Sequence, residues 1–254
     1  ILIVAVVATL TPFAYLVCGA LKTSEDLFAT LFLPAGDGLF GVAWDRLTLA
    51  NFSRLFVEST YLRSALNSLF LASTTSVLAA LVCAAAGSAL ARFQFAGREL
   101  VTWIVLAALV LPPALLLAPA YQLLFRLGML DTFTGLILPA LAPAFGVYLM
   151  RQAILSSVPP ALVEAARVDG WGEPRIFVSL VLPVARPMVG ALILLTFVGT
   201  WNNFISPQIV LQTPEKQPLS VAVAQLRGVY GQDYGLIMAG TLFAVAPVII
   251  LFIV

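Results

Sequence analysis

Long apolar segments recur along this chain, and they constrain its fold more than any other feature of the sequence. Six segments stand out, at residues 1–21, 64–89, 100–120, 134–150, 188–211 and from Tyr234 onward. A helix needs about 20 mainly apolar residues to cross a bilayer. Hydrophobic residues make up 61% of the chain and charged residues only 10%, whereas about a quarter of the residues in a soluble domain are charged. The sequence therefore predicts an all-α integral membrane protein with six transmembrane helices.

Both ends of the chain fall inside apolar runs. Ile1 opens the first run without a preceding Met, and Val254 lies within the last one. We therefore expect the native protein to continue beyond both ends, with residues 1–254 forming a single transmembrane domain.

Residue types that carry most enzyme chemistry are scarce. The chain has no histidine, and its two cysteines, Cys18 and Cys83, stand in apolar runs without a CxxC pattern. Zinc sites and histidine-dependent acid–base catalysis therefore lack ligands and bases here. The net charge of +1 provides no basic surface of the kind that nucleic-acid binding requires. We predict no enzymatic activity, no metal, no cofactor and no nucleic-acid partner for this chain.

A charged loop, residues 151–187, separates the fourth and fifth apolar segments and contains a predicted helix. Pro160 fits the first helical turn, where its missing N–H costs nothing, and residues 161–169 are good helix formers. Gly170 fits the left-handed residue that ends many helices, and Pro174 indicates a second helix start. The first helix would present a small apolar face, formed by Leu162, Ala165, Ala166 and Val168. It is either an amphipathic helix at the membrane surface or a docking segment for another protein.

The spacing of residues in this loop favours the docking segment. The pattern is E-A-A, three residues, G, nine residues, an aliphatic residue, any residue and L-P, and it is carried by Glu164, Ala165, Ala166, Gly170, Leu180, Leu182 and Pro183. It resembles the signature of permease subunits of ATP-binding-cassette (ABC) importers. Asp169, before the glycine, and Pro187, after L-P, are residues that the carbohydrate-uptake branch favours at these positions. The pattern resembles in particular the second permease of maltose-type systems. The chain departs from that branch at Leu180, where isoleucine is more usual, and at Trp171, where alanine is frequent.

Other stretches extend the resemblance over nearly the whole chain, at residues 63–69, 127–132, 201–204, 234–236 and 238–240. The resemblance implies six transmembrane helices and a cytoplasmic coupling helix that would insert into a groove on a cytosolic ATPase. The ATPase-coupling residues would be Glu164, Ala165, Ala166, Arg167, Asp169 and Gly170.

The resemblance also implies partners. ATP and Mg would bind an ABC ATPase dimer, where hydrolysis would occur, because this chain has no G-x-x-x-x-G-K and no Gly-Lys pair. An extracytoplasmic binding protein would deliver the solute, and a second permease, formed by a different chain, would complete the path. The complex would lie among the lipids of a prokaryotic inner membrane.

The predicted orientation depends on the loop motif rather than on charge. With residues 91–99 and 151–187 in the cytoplasm, the cytoplasmic loops hold Arg92, Arg98, Arg151, Arg167, Arg175 and Arg186. The outer segments then hold Lys22, Arg46, Arg54, Arg63, Arg126, Lys216 and Arg227. The positive-inside rule expects an excess of basic residues on the cytoplasmic side, so the charge count does not favour this orientation.

Polar residues inside apolar segments are candidates for a solute path. Asn202 and Asn203 lie beside Trp201 and Phe204, where amides could bond sugar hydroxyls and an aromatic ring could stack on a sugar. Asn67 is a further candidate. The alternative for each is hydrogen bonding between helices, worth about 1 kcal/mol per contact. The middle of each segment is uncharged, which suits a neutral solute and argues against an ion-coupled carrier.

These observations together predict the permease subunit of an ABC importer for a sugar or sugar derivative. The alternatives are ABC import of another solute, such as glycerol phosphate or an amino acid, a membrane scaffold subunit, and a secondary carrier. A scaffold predicts that changing Asn202 and Asn203 leaves transport intact. A carrier predicts uptake by this chain alone, without ATP.

Overall fold

The structure, a computed structural model, describes residues 2–57, 60–229 and 233–253. Within these ranges the regular structure is helical, apart from one isolated antiparallel bridge between Ala35 and Val42. The α-helices are α1 (Leu2–Ala20), α2 (Ser24–Ala29), α3 (Ala50–Val57), α4 (Tyr61–Arg92), α5 (Arg98–Val110), α6 (Leu117–Arg126), α7 (Phe133–Ile137), α8 (Ala144–Ser157), α9 (Pro160–Val168), α10 (Glu173–Ile176), α11 (Leu182–Val184), α12 (Arg186–Trp201), α13 (Ile205–Val210), α14 (Leu219–Val229) and α15 (Tyr234–Ile253).

The helices match the six predicted apolar segments in position. Helices α1, α4 and α15 are each long and apolar enough to cross a membrane. Three further spans arise if bent pairs are counted as one span each: Arg98–Val110 with Pro113–Arg126, Phe133–Ala140 with Ala144–Ser157, and Glu173–Val184 with Arg186–Trp201, bent by 103°, 41° and 79°. The chain therefore has up to six spans by length and composition within the described residues.

Helix boundaries differ from the predicted segments, most of all at the ends of α8 and α12. Helix α8 continues to Ser157 instead of ending near Met150, because Ile154 is buried and the helix stops only before Pro159, which disfavours helical backbone in the preceding residue. Helix α12 ends at Trp201, ten residues before the predicted end at 211. The Asn203 carboxamide accepts the Ser206 backbone N–H at 3.4 Å, and such local bonds compete with a continuous helix.

Residue contacts divide the chain into two compact units. The first comprises residues 1–68 and 214–254, and the second comprises residues 69–213. The predicted coupling loop lies entirely in the second unit.

In the first unit, α15 packs against α1, α2, α3 and α14. Gly19 permits the approach of α1, since a Cβ at this position would lie only 2.0 Å from the Met238 sulfur. The Tyr61 hydroxyl, buried at the start of α4, donates to the Gly240 carbonyl on α15. Close backbone approach and one buried hydrogen bond thus fix α15 among its neighbours.

The polar stretch after α1 is packed rather than loose. The Asn51 carboxamide donates to the carbonyls of Ala20 and Lys22 at 2.9 and 2.8 Å. The buried Lys22 ammonium donates to the Thr30 carbonyl at 2.7 Å. Burial lowers the pKa of Lys22 from its usual value because desolvation disfavours the charged form.

The core of the second unit lies where α4, α8, α9, α10 and α12 meet. A Cβ at Gly87 on α4 would lie 2.8 Å from the Met150 Cβ and 2.6 Å from the Arg151 nitrogen on α8. Small residues at a helix crossing permit such contact in membranes. The buried core residues are Ala80, Cys83, Ala84, Leu90, Val147, Met150, Ile154, Val158, Val163, Ala166, Ile176, Val181, Ala185 and Leu192.

Candidate functional site

Helix α9 has the boundaries that the loop sequence predicts. Pro160 occupies its first turn. At the other end, Gly170 has a φ of +79°, its N–H bonds the Arg167 carbonyl, and the Trp171 N–H bonds the Ala166 carbonyl, both at 3.0 Å. These two bonds form the Schellman motif, which closes a helix C-terminus. The prediction that Gly170 is the left-handed residue is confirmed.

The inner face of α9 belongs to the core of the second unit. Val163 and Ala166 are 5% and 6% exposed and lie in one cluster with Ile154, Ile176 and Val181. The outer face carries Leu162 at 44% and Val168 at 87% exposure, together with the exposed Glu164 and Ala165. The predicted small apolar face is therefore divided, because Ala166 packs against this chain while Leu162, Ala165 and Val168 are accessible.

The charged residues of α9 differ in their partners. Glu164 and the exposed Asp169 form no side-chain hydrogen bond or ion pair in the part of the chain that the structure describes. Arg167 instead bonds Glu173, with 2.8 Å between its Nε and the carboxylate Oε1. The outer face of α9 thus keeps an unpaired acid beside apolar side chains.

Glu173 joins α9 to α4, a connection that the sequence does not predict. Its Oε2 accepts from Arg92 on α4 at 3.0 Å, while its Oε1 accepts from Arg167. The Arg92 side chain is 9% exposed and that of Arg167 is 46% exposed. Arg92 and Glu173 are 81 residues apart in sequence, so only the tertiary fold brings them together.

Trp171, the departure from the family pattern, stabilises the turn after α9. Its ring packs against the core cluster, and the Arg175 guanidinium carbon lies 4.4 Å above the ring centroid. This distance is within the range of a cation–π interaction. The bulky side chain therefore occupies a defined position next to α9 and leaves the outer face of the helix open.

The chain after α10 continues as one turn of π-helix, Phe177–Val181. Ile176, just before this turn, and Val181, its last residue, are fully buried. Isolated π turns are rare in proteins, and those that occur often lie at functional sites. The turn continues α10 into α11, and the helical backbone breaks only at Ala185, before α12.

The predicted path residues Trp201, Asn202 and Asn203 lie at the break between α12 and α13. Trp201 is 6% exposed and stacks on Phe197 with 5.8 Å between ring centroids. Asn202 is exposed, whereas Asn203 bonds the backbone of α13. Of the two amides, only Asn202 is both exposed and without a side-chain bond among the described residues.

Asn67, the remaining candidate, lies in the first unit and bonds a loop. Its carboxamide donates to the carbonyls of Glu215 and Gln217 at 2.9 and 3.2 Å. The neighbouring Ser68 hydroxyl accepts the Leu219 N–H at 2.7 Å. Asn67 therefore helps to hold residues 214–219 against α4.

Asp131 is a further structural residue whose role the sequence patterns do not predict. It has a φ of +56°, its Oδ1 accepts the N–H groups of Gln212 and Thr213 at 3.0 Å, and its Oδ2 accepts the Thr213 hydroxyl at 2.6 Å. It thus fixes the end of the α13 segment. Its position in a stretch already noted for family resemblance was the available signal.

Metal ligands do not cluster in the described part of the chain, where no group of three or more His, Cys, Asp or Glu residues could hold an ion. The arrangement offers a helix with an exposed apolar face, α9, and a break between α12 and α13. It defines a helical protein with up to six candidate membrane spans among the described residues.

Comparisons with known proteins agree with this class. The family described as "Binding-protein-dependent transport system inner membrane component" matches residues 76–254, and the chain belongs to that family. Its predicted fold class, its location in the inner membrane and its resemblance to ABC importer permeases are confirmed. It is a transport component.

Individual relatives cover most of the chain. The arabinooligosaccharides permease protein AraQ of Halalkalibacterium halodurans is 36% identical, covering 82% of this chain and 74% of the relative. The lactose permease protein LacG of Rhizobium radiobacter is 31% identical over 99% of this chain and 88% of its own length. A crystal structure of a bacterial ABC transporter involved in alginate import aligns with a TM-score of 0.84 and 20% identity, covering 99% of this chain and 91% of the matched chain.

Proposed function

We propose that this permease passes a sugar or oligosaccharide, delivered by an extracytoplasmic binding protein, across the inner membrane. Relatives with 31% to 36% identity carry names that specify arabinooligosaccharides and lactose. A neutral solute also agrees with the uncharged centres of the apolar segments. Import of another solute is the second candidate, because the sn-glycerol-3-phosphate permease protein UgpE of Salmonella typhimurium is 30% identical over 80% of this chain.

The observation that carries the coupling proposal is the division of α9 into two faces. Val163 and Ala166 anchor the helix in the core, while Leu162, Glu164 and Val168 remain accessible. A helix that is anchored on one side and apolar on the other fits the groove of a partner protein. We propose that an ABC ATPase dimer in the cytosol binds this outer face. ATP and Mg would bind to that ATPase and not to this chain.

Displacement of α9 would be transmitted through its anchors. The core cluster connects α9 to α8 and α12, and Glu173 connects it to α4 through Arg92. Packed interiors transmit displacement because they have few voids in which to absorb it. Closure of the ATPase on ATP would therefore move the helices of the second unit together. Of the predicted coupling residues, Ala166, Arg167 and Gly170 would act by fixing the helix, and Glu164, Ala165 and Asp169 by meeting the partner.

The solute path is proposed at the break after α12. Asn202 is the best candidate for a sugar contact, with Trp201 and Asn203 shaping the break. Asn67 would contribute indirectly, through the loop that it holds. We further propose that the second permease is a different chain, in agreement with the maltose-type resemblance.

The test of coupling is a comparison of ATPase association and uptake in reconstituted vesicles. Glu164→Lys reverses the charge on the outer face of α9 and should release the ATPase, or leave it hydrolysing ATP without uptake, while the permease still inserts. Glu215→Lys makes the same charge change on an exposed residue outside the loop and should retain ATPase association. Normal ATPase association and uptake in Glu164→Lys would refute the docking role of α9.

The test of the solute is uptake by the complete transporter with its binding protein. Oligosaccharides should compete with the transported solute for uptake, whereas sn-glycerol 3-phosphate should not. Competition by the phosphate alone would support the second candidate. Unchanged transport in Asn202→Ala and Asn203→Ala would favour the scaffold alternative, and uptake without ATP would favour the carrier.

A further inference from the structure

A cleft of about 700 Å³ lies between the start of α5 and the side of α8. Its lining includes Arg98, Glu99, Thr102, Trp103, Leu106 and Arg151. The Arg92–Glu173 ion pair, at the end of α4, places the nearby start of α5 at the same end of the second unit as α9 and α10. The cleft is separate from the outer face of α9 and from the break after α12.

Arg151 is the residue in this cleft that most requires a ligand. Its Nε is buried without a hydrogen bond, and its guanidinium forms no ion pair with any residue that the structure describes. It stands six residues before Ser157, the last residue of α8, or about 9 Å inside the helix end at 1.5 Å per residue. A buried guanidinium nitrogen without a hydrogen-bond partner is costly, and a ligand that accepts from Arg151 would remove this cost.

The remaining polar groups leave the cleft positively charged. Arg98 also lines it, and its Nε donates to the Leu90 carbonyl at 2.9 Å, which fixes the side chain at the end of α4. Glu99 is the acid among the lining residues, so two guanidinium groups face one carboxylate. An anionic ligand would balance the excess.

The rim of the cleft is apolar and continues along α5. Trp103 is 68% exposed, Leu100 is 64% exposed and Ile104 is 59% exposed, on a helix that belongs to one of the bent candidate spans. Tryptophan is typical of the zone where lipid headgroups meet hydrocarbon. A ligand that fills the cleft and follows this rim has an anionic head and an apolar body.

We propose that the cleft binds the phosphate of an anionic phospholipid, with Arg151 and Arg98 at the headgroup and the acyl chains along Trp103. Basic pockets between transmembrane helices on the cytoplasmic side are known to hold such headgroups. Assignment to the cytoplasmic leaflet rests on the orientation in the proposed function. The binding itself does not depend on which solute is carried.

The test is native mass spectrometry of the purified transporter complex titrated with phosphatidylglycerol or phosphatidylcholine. The wild-type protein should prefer phosphatidylglycerol. Arg151→Gln should weaken phosphatidylglycerol binding about fivefold, the equivalent of roughly 1 kcal/mol for one basic residue near a headgroup. Arg126→Gln makes the same change at an exposed position on α6 and should have no effect.

A second variant separates loss of the site from loss of the fold. Glu99→Gln removes the acid from the cleft and should strengthen phosphatidylglycerol binding, an effect that misfolding would not produce. Equal losses in Arg151→Gln and Arg126→Gln, or equal binding of the two lipids, would overturn the proposal. Displacement of the lipid by millimolar inorganic phosphate would assign the site to free phosphate instead. Release of the ATPase by Arg151→Gln with unchanged lipid binding would assign the arginine to the protein partner. Lipid binding, displacement by phosphate and ATPase association are all measured without solute uptake.

Discussion

Gly170 holds a backbone conformation with a φ of +79° that an L side chain adopts only with strain. Gly170→Ala should destabilise the end of α9 by about 1 kcal/mol. Gly172, two residues on, has a φ of −72° and open space around it, since only the Pro174 Cδ would lie within 4 Å of an added Cβ. Gly172→Ala is therefore the matched control and should be neutral. Thermal unfolding of the purified complex measures the change in stability in both variants. Equal changes would contradict the role assigned to Gly170.

Glu173 binds two arginines in unequal surroundings, and this inequality should appear in double-mutant cycles. Its coupling with Arg92, 9% exposed, should exceed its coupling with Arg167, 46% exposed. Leaving a buried charged group without its partner lowers the stability of the fold by about 1–3 kcal/mol. An exposed ion pair contributes only about 0–1 kcal/mol to that stability. The measurement is thermal stability of Glu173→Gln, Arg92→Met, Arg167→Met and the two double variants. A larger coupling for Arg167 would refute this description.

The sequence was informative about residues whose role is local. Pro160 and Gly170 could be placed because a helix start and a helix end depend on backbone geometry within a few residues. Glu173 could not be recognised, since both its role and its depth depend on a helix 81 residues away. Ala166 was assigned to an outward apolar face because helical spacing alone does not say which side of α9 the core covers.

At the scale of elements, the crossing of α4 and α8 depends on Gly87. A Cβ there would lie 2.8 Å from the Met150 Cβ and 2.6 Å from a backbone nitrogen of α8, which neither helix can relieve without moving. Gly87→Ala should therefore separate the helices and destabilise the second unit by about 1–3 kcal/mol, as overpacking does.

The control for this crossing is Gly190 in α12, where an added Cβ would have no atom within 4 Å. Gly190→Ala should be neutral or stabilising, because alanine is favoured over glycine in a helix interior by about 1 kcal/mol. Thermal unfolding in one detergent compares the two variants. A similar loss of stability in both would show that helix contact at Gly87 is not the determining factor.

Apolar length predicted where the spans lie but not how they bend. Pro112 and Pro113 lie at the break in the third predicted segment, where proline cannot continue a helix, yet the 103° angle between Arg98–Val110 and Pro113–Arg126 depends on packing. The end of α12 at Trp201 was missed because hydropathy continues through residues 202–211. Beyond this end, the Ser206 N–H bonds the Asn203 carboxamide at 3.4 Å, at the start of α13.

At the scale of the whole molecule, one prediction concerns the side of the membrane on which the loop 151–187 lies. Val168 is 87% exposed beside the coupling residues, so a cysteine there is accessible with little effect on packing. In membranes prepared without the ATPase, Val168→Cys should react with a membrane-impermeant thiol reagent in inside-out vesicles and not in intact cells. The unaltered protein, with the half-buried Cys18 and the buried Cys83, gives the background. Labelling from intact cells would invert the topology.

The class of the whole molecule could be predicted because one short motif and the spans pointed to the same family. Its solute and companion chain could not, and both stay proposals. The division of residue contacts at Ser68 and Thr213 was not predicted either, since Ser68 lies inside the apolar segment 64–89 and Thr213 lies just after the segment that ends at 211. The single-domain prediction therefore stays a prediction.

The π turn at Phe177–Val181 is a place where the chain can lose one residue and keep its helical packing. A π turn holds about one residue more than the α turn that it replaces, so losing one residue there would restore an α-helix and leave the faces of α12 in place. A deletion at Gly190 would instead rotate the following residues by about 100° and turn Leu192, now 2% exposed, out of the core. Loss of a single residue should therefore be better tolerated in this turn than within α12.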